Sequence, residues 1–233
     1  IDARKKIKKN LEEKLQKKEI NFKSSKSFST PKRLVILIDG IPEIIEQKKK
    51  VIKGPKIDAP ELALEGFVKS NNLSKSDIYK KKLEKGEFYF AETKPKVINI
   101  LKELQTIIPE TLQAYSWKKS MKWSFYDLSW GRPLKSIIAL FNNKLVNFNF
   151  FHLKSGDLTS IDGINETKSK KINNFKSYLN ILKSQNIILD QEKRKNMMIK
   201  KMNSICNIRK LKNNFNEKLI EEVVNLVENP NII

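Results

Sequence analysis

An α+β chain is what this sequence predicts. Mixed or antiparallel sheet elements with packed helices fill the first two thirds, and helices alone fill the last third. Three observations carry that reading. Short apolar or alternating runs bounded by Gly, Pro and Asn lie before residue 165. From Asn173 onward apolar residues recur at helical spacing. The chain nowhere alternates strand and long helix in the way a doubly wound sheet requires. The expected organisation is an α+β region over 1–165, with 55–110 as a candidate sub-domain inside it. A helical region over 166–233 follows, cut short at its C-terminal end.

In chain order, Ala3, Ile7, Leu11 and Leu15 fall every four residues with charges between them, which predicts an amphipathic helix. Ser29-Thr30-Pro31-Lys32-Arg33 precedes Leu34–Ile38, a continuous apolar run that reads as a buried strand. Asp39-Gly40 and Lys53-Gly54-Pro55 are turns. A helix is predicted from Pro60 through Val68, and Ser74-Lys75-Ser76-Asp77 has the form of a capping box. Lys85-Gly86-Glu87 separates two short segments, the second being Phe88–Ala91, as in a hairpin. Pro95 is expected to open a helix carrying Val97, Ile98, Leu101, Leu104 and Ile107, stopped by Pro109.

Ser116–Phe141 holds all three tryptophans, Arg132 and four lysines. It reads as an irregular polar-aromatic loop feeding a buried helix, with Pro133 at the first helical position and Leu134, Ile137, Ile138 and Phe141 on one face. Asn142-Asn143 then turns the chain, and Val146, Phe148 and Phe150 alternate with Asn147 and Asn149 as a half-buried strand. The last third carries helical faces around Phe175, Tyr178 and Leu182, around Met198 and Met202 behind an Asp190 N-cap, and around Ile220, Val223 and Val224.

The 233 residues are 39% hydrophobic and 31% charged, as in a globular protein. No apolar run approaches the roughly 20 residues of a membrane span, and no signal peptide is visible. The single cysteine, Cys206, excludes an internal disulfide and suits a reducing compartment, and its apolar neighbours Met198 and Met202 make it a packing residue. A formal charge of +21 points to a polyanion. Only five of the 47 basic residues are Arg, in a chain also crowded with Asn and Ile, so codon usage accounts for part of that charge. Ile1 is not a start methionine and a new apolar run begins at Ile232. Both ends are expected to be cuts in a longer polypeptide.

The chemistry is sparse. His152 is the only histidine, which rules out a two-histidine metal site. No Gly-rich phosphate loop of the G-x-x-x-x-G-K or G-x-G-x-x-G form occurs. Lys119-Ser120-Met121-Lys122 has the look of the lysine loop of class I aminoacyl-tRNA synthetases, but that loop works with a His-x-Gly-His element that one histidine cannot supply. Asp39, Asp58, Asp77 and Asp127 show no catalytic spacing. No active site, and no cofactor site, is expected on this chain. Basic residues at turns remain as candidate phosphate contacts: Lys32, Arg33, Lys53, Lys118, Lys119, Lys122, Arg132, Lys135 and Lys154. Trp117, Trp123 and Tyr126 stand near them to stack on unpaired bases. The plainer reading is that lysines sit at turns because turns are exposed.

At the same turns the sequence resembles the beta subunit of the bacterial tetrameric glycyl-tRNA synthetase. The segments that carry the resemblance are Ser29–Leu34, Lys53-Gly54-Pro55, Glu65-Gly66-Phe67, Lys85-Gly86-Glu87, Lys119–Trp123, Arg132-Pro133, Lys154-Ser155-Gly156 and Leu219–Pro230, in order along nearly the whole chain. The resemblance implies a cytoplasmic tRNA-binding subunit, with the nine basic residues as candidate tRNA contacts and no membrane association. An alpha-subunit partner would use ATP, with Mg, and glycine to charge tRNA(Gly). This chain would be an N-terminal portion of the longer beta subunit. Two departures stand out: Thr159–Ile164 has lost the family's His and Arg, and Lys135 replaces a usual His or Arg. The rival readings are a stand-alone basic RNA-binding module and a structural assembly domain whose lysines are compositional.

Overall fold

The four-residue spacing of apolar side chains builds helix α1 (Asp2–Lys17), with Ile7 and Leu15 fully buried. Its end is closed by Glu19 in the left-handed region, φ 59°, which lets the Ile20 N–H bond back to the Leu15 carbonyl at 2.9 Å. The structure is a computed structural model that describes residues 2–47, 49, 51–71, 73–83, 86–92, 95–162, 167–214 and 216–232. It divides into two units: residues 1–42 with 101–233, and residues 43–100. The α+β class holds, and among the described residues the strand pairings are antiparallel except one parallel pair.

In the first unit β1 (Ser24–Ser29) and β2 (Leu34–Asp39) form an antiparallel hairpin, Ser29 opposite Leu34. Leu34–Ile38 is a strand as expected but not a buried one, because a two-stranded ribbon has no flanking strands to cover it. Leu34 is exposed and the others are half-buried.

The second unit has β3 (Ile44–Gln47), β4 (Val51–Lys56), α2 (Glu61–Ser70), β5 (Ile78–Leu83), β6 (Gly86–Glu92) and β7 (Lys96–Asn99). Strands run in the order β4-β6-β5, and β3 pairs with β7. Helix α2 lies over β4 at Gly54, where a Cβ would meet the Phe67 ring at 2.9 Å. Ser74 and Asp77 make the expected capping box around a 3-10 turn. The predicted hairpin is β5–β6; Lys85 of its turn lies outside the described residues.

The helix predicted from Pro95 starts later. Val97 and Ile98 pair with Glu46 and Ile45 in β7, because β-branched residues with a waiting partner strand favour the ladder. Helix α3 (Ile100–Gln113) then runs through Pro109, which removes one backbone bond near the helix end without stopping it. Within the first unit, α3 is tied to α1 by Lys14–Glu110 at 2.7 Å and to the residue just after α1 by Lys18–Glu103 at 2.6 Å.

Beyond α3 come β8 (Met121–Lys122), β9 (Ser129–Trp130), β10 (Ile137–Ile138), β11 (Leu140–Phe141), β12 (Lys144–Leu145), β13 (Asn149–Phe150), β14 (Leu153–Gly156), β15 (Leu158–Asp162) and β16 (Thr167–Lys171). The buried helix expected after Pro133 does not form. Ile137 and Ile138 pair in parallel with Ser155 and Gly156, and Leu140–Phe141 turns onto Lys144–Leu145. Asn142 and Asn143, at φ 48° and 62°, supply the two left-handed residues of a tight hairpin turn, and that turn chemistry overrides a short helical period. Val146, Phe148 and Phe150 are buried and Asn147 and Asn149 exposed, as the alternation predicts. A side chain adds to the backbone bonds of that run, in which the Val146 N–H donates to the Ala139 carbonyl at 2.9 Å and the Ser155 N–H to the Phe148 carbonyl at 3.0 Å. The buried Ser155 hydroxyl accepts from the Phe148 N–H at 2.8 Å and donates to the Val146 carbonyl at 2.7 Å.

Helices α4 (Phe175–Ser184), α5 (Gln191–Ile208) and α6 (Glu217–Leu226) close the chain. Asp190 caps α5 by accepting from the Glu192 and Lys193 N–H groups at 2.9 and 3.3 Å. Tyr178, Leu182 and Leu189 form a core against Phe28 and Val35 of the β1–β2 hairpin, while Met198, Ile220 and Val224 join α5 to α6.

Candidate nucleic-acid interface

The Ser29–Arg33 turn is held by arginines from distant parts of the first unit. Thr30 and Arg33 exchange backbone bonds at 2.9 and 3.4 Å, so the alternate residues Ser27 and Ser29 point their carbonyls away from β2. Arg4 donates to the Ser27 carbonyl at 3.3 Å, Arg194 to Ser29 at 2.9 Å and Arg132 to Pro31 at 2.8 Å. Arg33 pairs with the Glu228 carboxylate and donates to the Ser160 carbonyl at 2.9 Å, and the Thr30 hydroxyl also donates to Glu228. Arg194 is fully buried and makes three more bonds, to the carbonyls of Val224, Ile188 and Leu189 at 3.2, 2.5 and 2.9 Å. Burial pushes the Arg194 guanidinium below its ordinary pKa, and the charges of Glu228 and Asp190 oppose that shift. Burial lowers Arg4 in the same direction.

Arg33 and Arg132, picked out from the sequence as outward contacts, thus both have guanidinium bonds inside this brace. Arg194 and Glu228, which organise it, were not among the sequence candidates. Their only signals were the rarity of Arg in this chain and the Glu228-Asn229-Pro230 run. In the segment where the departures lie, Thr159 is buried and Ser160 receives Arg33, while Gly163 and Ile164 are outside the described residues.

The tryptophan-rich segment divides into a packed base and an exposed tip. Trp130 is buried, edge-on to Trp117 at 4.8 Å and to Phe150 at 5.8 Å, and Tyr115 meets Trp117 at 4.9 Å. Trp123 donates its indole N–H to the Trp130 carbonyl at 2.8 Å. Gly131 lies under Trp117, where a Cβ would stand 2.5 Å from the ring. Trp117 and Trp123, expected to stack on bases, are therefore half-buried supports of the β8–β9 hairpin.

At the tip Phe125 is entirely exposed, at 103%. Next to it Tyr126 stacks on His152, ring centroids 3.5 Å apart and planes 7° from parallel. Lys122 bonds Asp127 at 2.9 Å, and that bond and charge hold the Asp127 carboxyl below its ordinary pKa. A depression of about 320 Å³ opens beside the tip, lined by Trp123, Tyr126, Leu128, Pro133, Leu134, Lys135 and His152, among others. Lys118, Lys119, Lys122, Lys135 and Lys154 are exposed. From Tyr115 to Gly156 the chain has seven Lys or Arg and one carboxylate, Asp127. Lys32 is exposed beside the braced turn, and in the second unit Lys53 places its ammonium 3.6 Å over the Phe88 ring. Among the described residues no three His, Cys, Asp or Glu side chains gather to hold a metal ion, and no helix is long and apolar enough to cross a membrane.

A family profile described as glycyl-tRNA synthetase beta subunit matches residues 1–233. The chain belongs to the glycyl-tRNA synthetase beta subunit family. It is 32% identical over 224 residues to the glycine–tRNA ligase beta subunit of Rickettsia typhi, covering 96% of this chain and 34% of that relative. To the same subunit of Rickettsia prowazekii it is 33% identical over 212 residues, 91% of this chain and 32% of the relative. The chain therefore spans about a third of the length of the curated relatives it matches. In this family member, two of the segments that carried the resemblance meet in space: Arg33 of the first reaches Glu228 of the last, 195 residues away.

Proposed function

We propose that this chain is a non-catalytic part of a glycine–tRNA ligase beta subunit that binds tRNA(Gly) and associates with an alpha subunit. ATP, with Mg, and glycine are substrates of that partner, and the complex works in the cytoplasm. The observation that carries the tRNA reading is the charge of the stretch from Tyr115 to Gly156: seven Lys or Arg against one carboxylate, around a hairpin braced from beneath by aromatic rings. Exposed lysines on a fixed scaffold neutralise phosphates and release counterions, which makes affinity fall with salt. Lys118, Lys119, Lys122, Lys135 and Lys154 are the contacts of the first unit, with Lys32 beside the braced turn and Lys53 on the second unit. Arg33 and Arg132 act by holding the turn from which Lys32 projects.

The test is tRNA(Gly) affinity as a function of salt. Lys119→Ala should weaken binding and reduce the slope of log affinity against log salt by about one. A slope unchanged by this and by Lys135→Ala would remove these lysines from the interface. Pyrophosphate exchange with glycine and ATP should be absent for the chain alone. Co-purification separates the rival reading: a ligase subunit captures an alpha subunit, whereas a stand-alone RNA-binding module does not.

A further inference from the structure

We propose that the depression beside the β8–β9 hairpin seats one unpaired nucleobase of RNA, stacked on the Tyr126–His152 pair, with Lys135 at its phosphate. This rests on the tRNA-binding reading and names the part of the surface that distinguishes single-stranded from duplex RNA. Tyr126 and His152 already form a parallel two-ring stack, and both residues are exposed. His152 is presented by the tight turn between β13 and β14, where Phe151 adopts φ 52°. A third flat ring adds to such a stack through its face, and every base has a face to offer. At about 320 Å³ the depression stands at the small end of ligand sites, which begin near 300 Å³.

The lining is chemically suited to a base. Leu128, Pro133 and Leu134 supply apolar surface, and Trp123, its N–H already bonded to the Trp130 carbonyl, offers only its ring. Among the described residues Lys135 is the one Lys or Arg on the lining. Phe125, wholly in water one residue from Tyr126, extends the aromatic surface. An apolar tip of this kind also suits a protein partner, and the surrounding charge decides between them. Asp127, the segment's one carboxylate, is already bonded to Lys122, leaving a field that favours a polyanion.

The experiment measures anisotropy of a labelled six-nucleotide oligoadenylate and of a labelled RNA duplex on the chain. Tyr126→Ala and His152→Ala should each weaken oligoadenylate binding about tenfold and leave duplex binding within about twofold. Tyr126→Phe, which keeps the ring, should bind as wild type, and an oligonucleotide carrying 2-aminopurine should be quenched by wild type and by Tyr126→Phe only. Equal loss for both probes would overturn the proposal, as would wild-type oligoadenylate affinity in both alanine variants. So would loss of alpha-subunit capture by Tyr126→Ala with oligoadenylate binding intact. These outcomes leave the tRNA reading standing when tRNA(Gly) still binds with a salt slope. Absence of binding to any RNA, tRNA(Gly) included, would overturn both.

Discussion

Replacing Arg194 with Met keeps a long side-chain stem in a fully buried position and removes its donors. Four carbonyls, those of Ser29, Ile188, Leu189 and Val224, lose a partner at 2.9, 2.5, 2.9 and 3.2 Å. At about 1.5 kcal/mol for each bond from a charged donor, the contacts amount to about 6 kcal/mol. Removing a buried cation relieves a desolvation penalty of several kcal/mol, so the net loss is about 3 kcal/mol. Against a typical domain stability of about 5–15 kcal/mol that is a large fraction. Urea unfolding followed by tryptophan fluorescence reads it directly, because Trp117, Trp123 and Trp130 all belong to the same unit as Arg194. Arg194→Lys sharpens the result. A single ammonium cannot serve carbonyls on the β1 end, the α5 approach and α6 together, so lysine should recover less than half of the loss. A Met variant within about 1 kcal/mol of wild type would refute the claim that these four carbonyls depend on Arg194.

Two further outcomes are expected. Gly131→Ala drives a methyl group to 2.5 Å from the Trp117 ring, and should destabilise the hairpin base by about 1–3 kcal/mol with a change in indole emission; unchanged emission and stability would show the ring moves freely. Lys122 depresses the Asp127 carboxyl through a bond and its charge, so the folded group titrates below its unfolded value. The stabilisation is therefore present above the unfolded pKa, near 3.9, and is lost as pH falls through the folded value. An NMR titration of the Asp127 side chain should give a midpoint under about 3.9 that rises in Lys122→Ala; the same midpoint in both proteins would exclude the pairing.

Much of the fold was readable from the sequence wherever a local rule had no competitor. The four-residue period of α1, the capping box at Ser74, the Asp190 cap and the alternation at Val146, Phe148 and Phe150 all describe interactions spanning a few residues, and all are present. The failures lie where a distant partner changed the outcome. Val97 and Ile98 joined β3, Ile137 and Ile138 joined β14, and Leu34–Ile38 lacked the flanking strands that bury such a run. The lysines of the tryptophan-rich segment were identifiable from their turns and are exposed, but nothing in their neighbours along the chain marked Tyr126 and His152 as a stacked pair.

Family membership and α+β class were therefore determined by the sequence itself, since both rest on short motifs in order and on local periodicity. Tertiary structure alone decided how exposed each cation is. An Arg and a Lys at two adjacent turn positions, Lys32 and Arg33, look alike in one dimension. They diverge because Glu228 and the Ser160 carbonyl are brought to Arg33 by chain closure over more than a hundred residues.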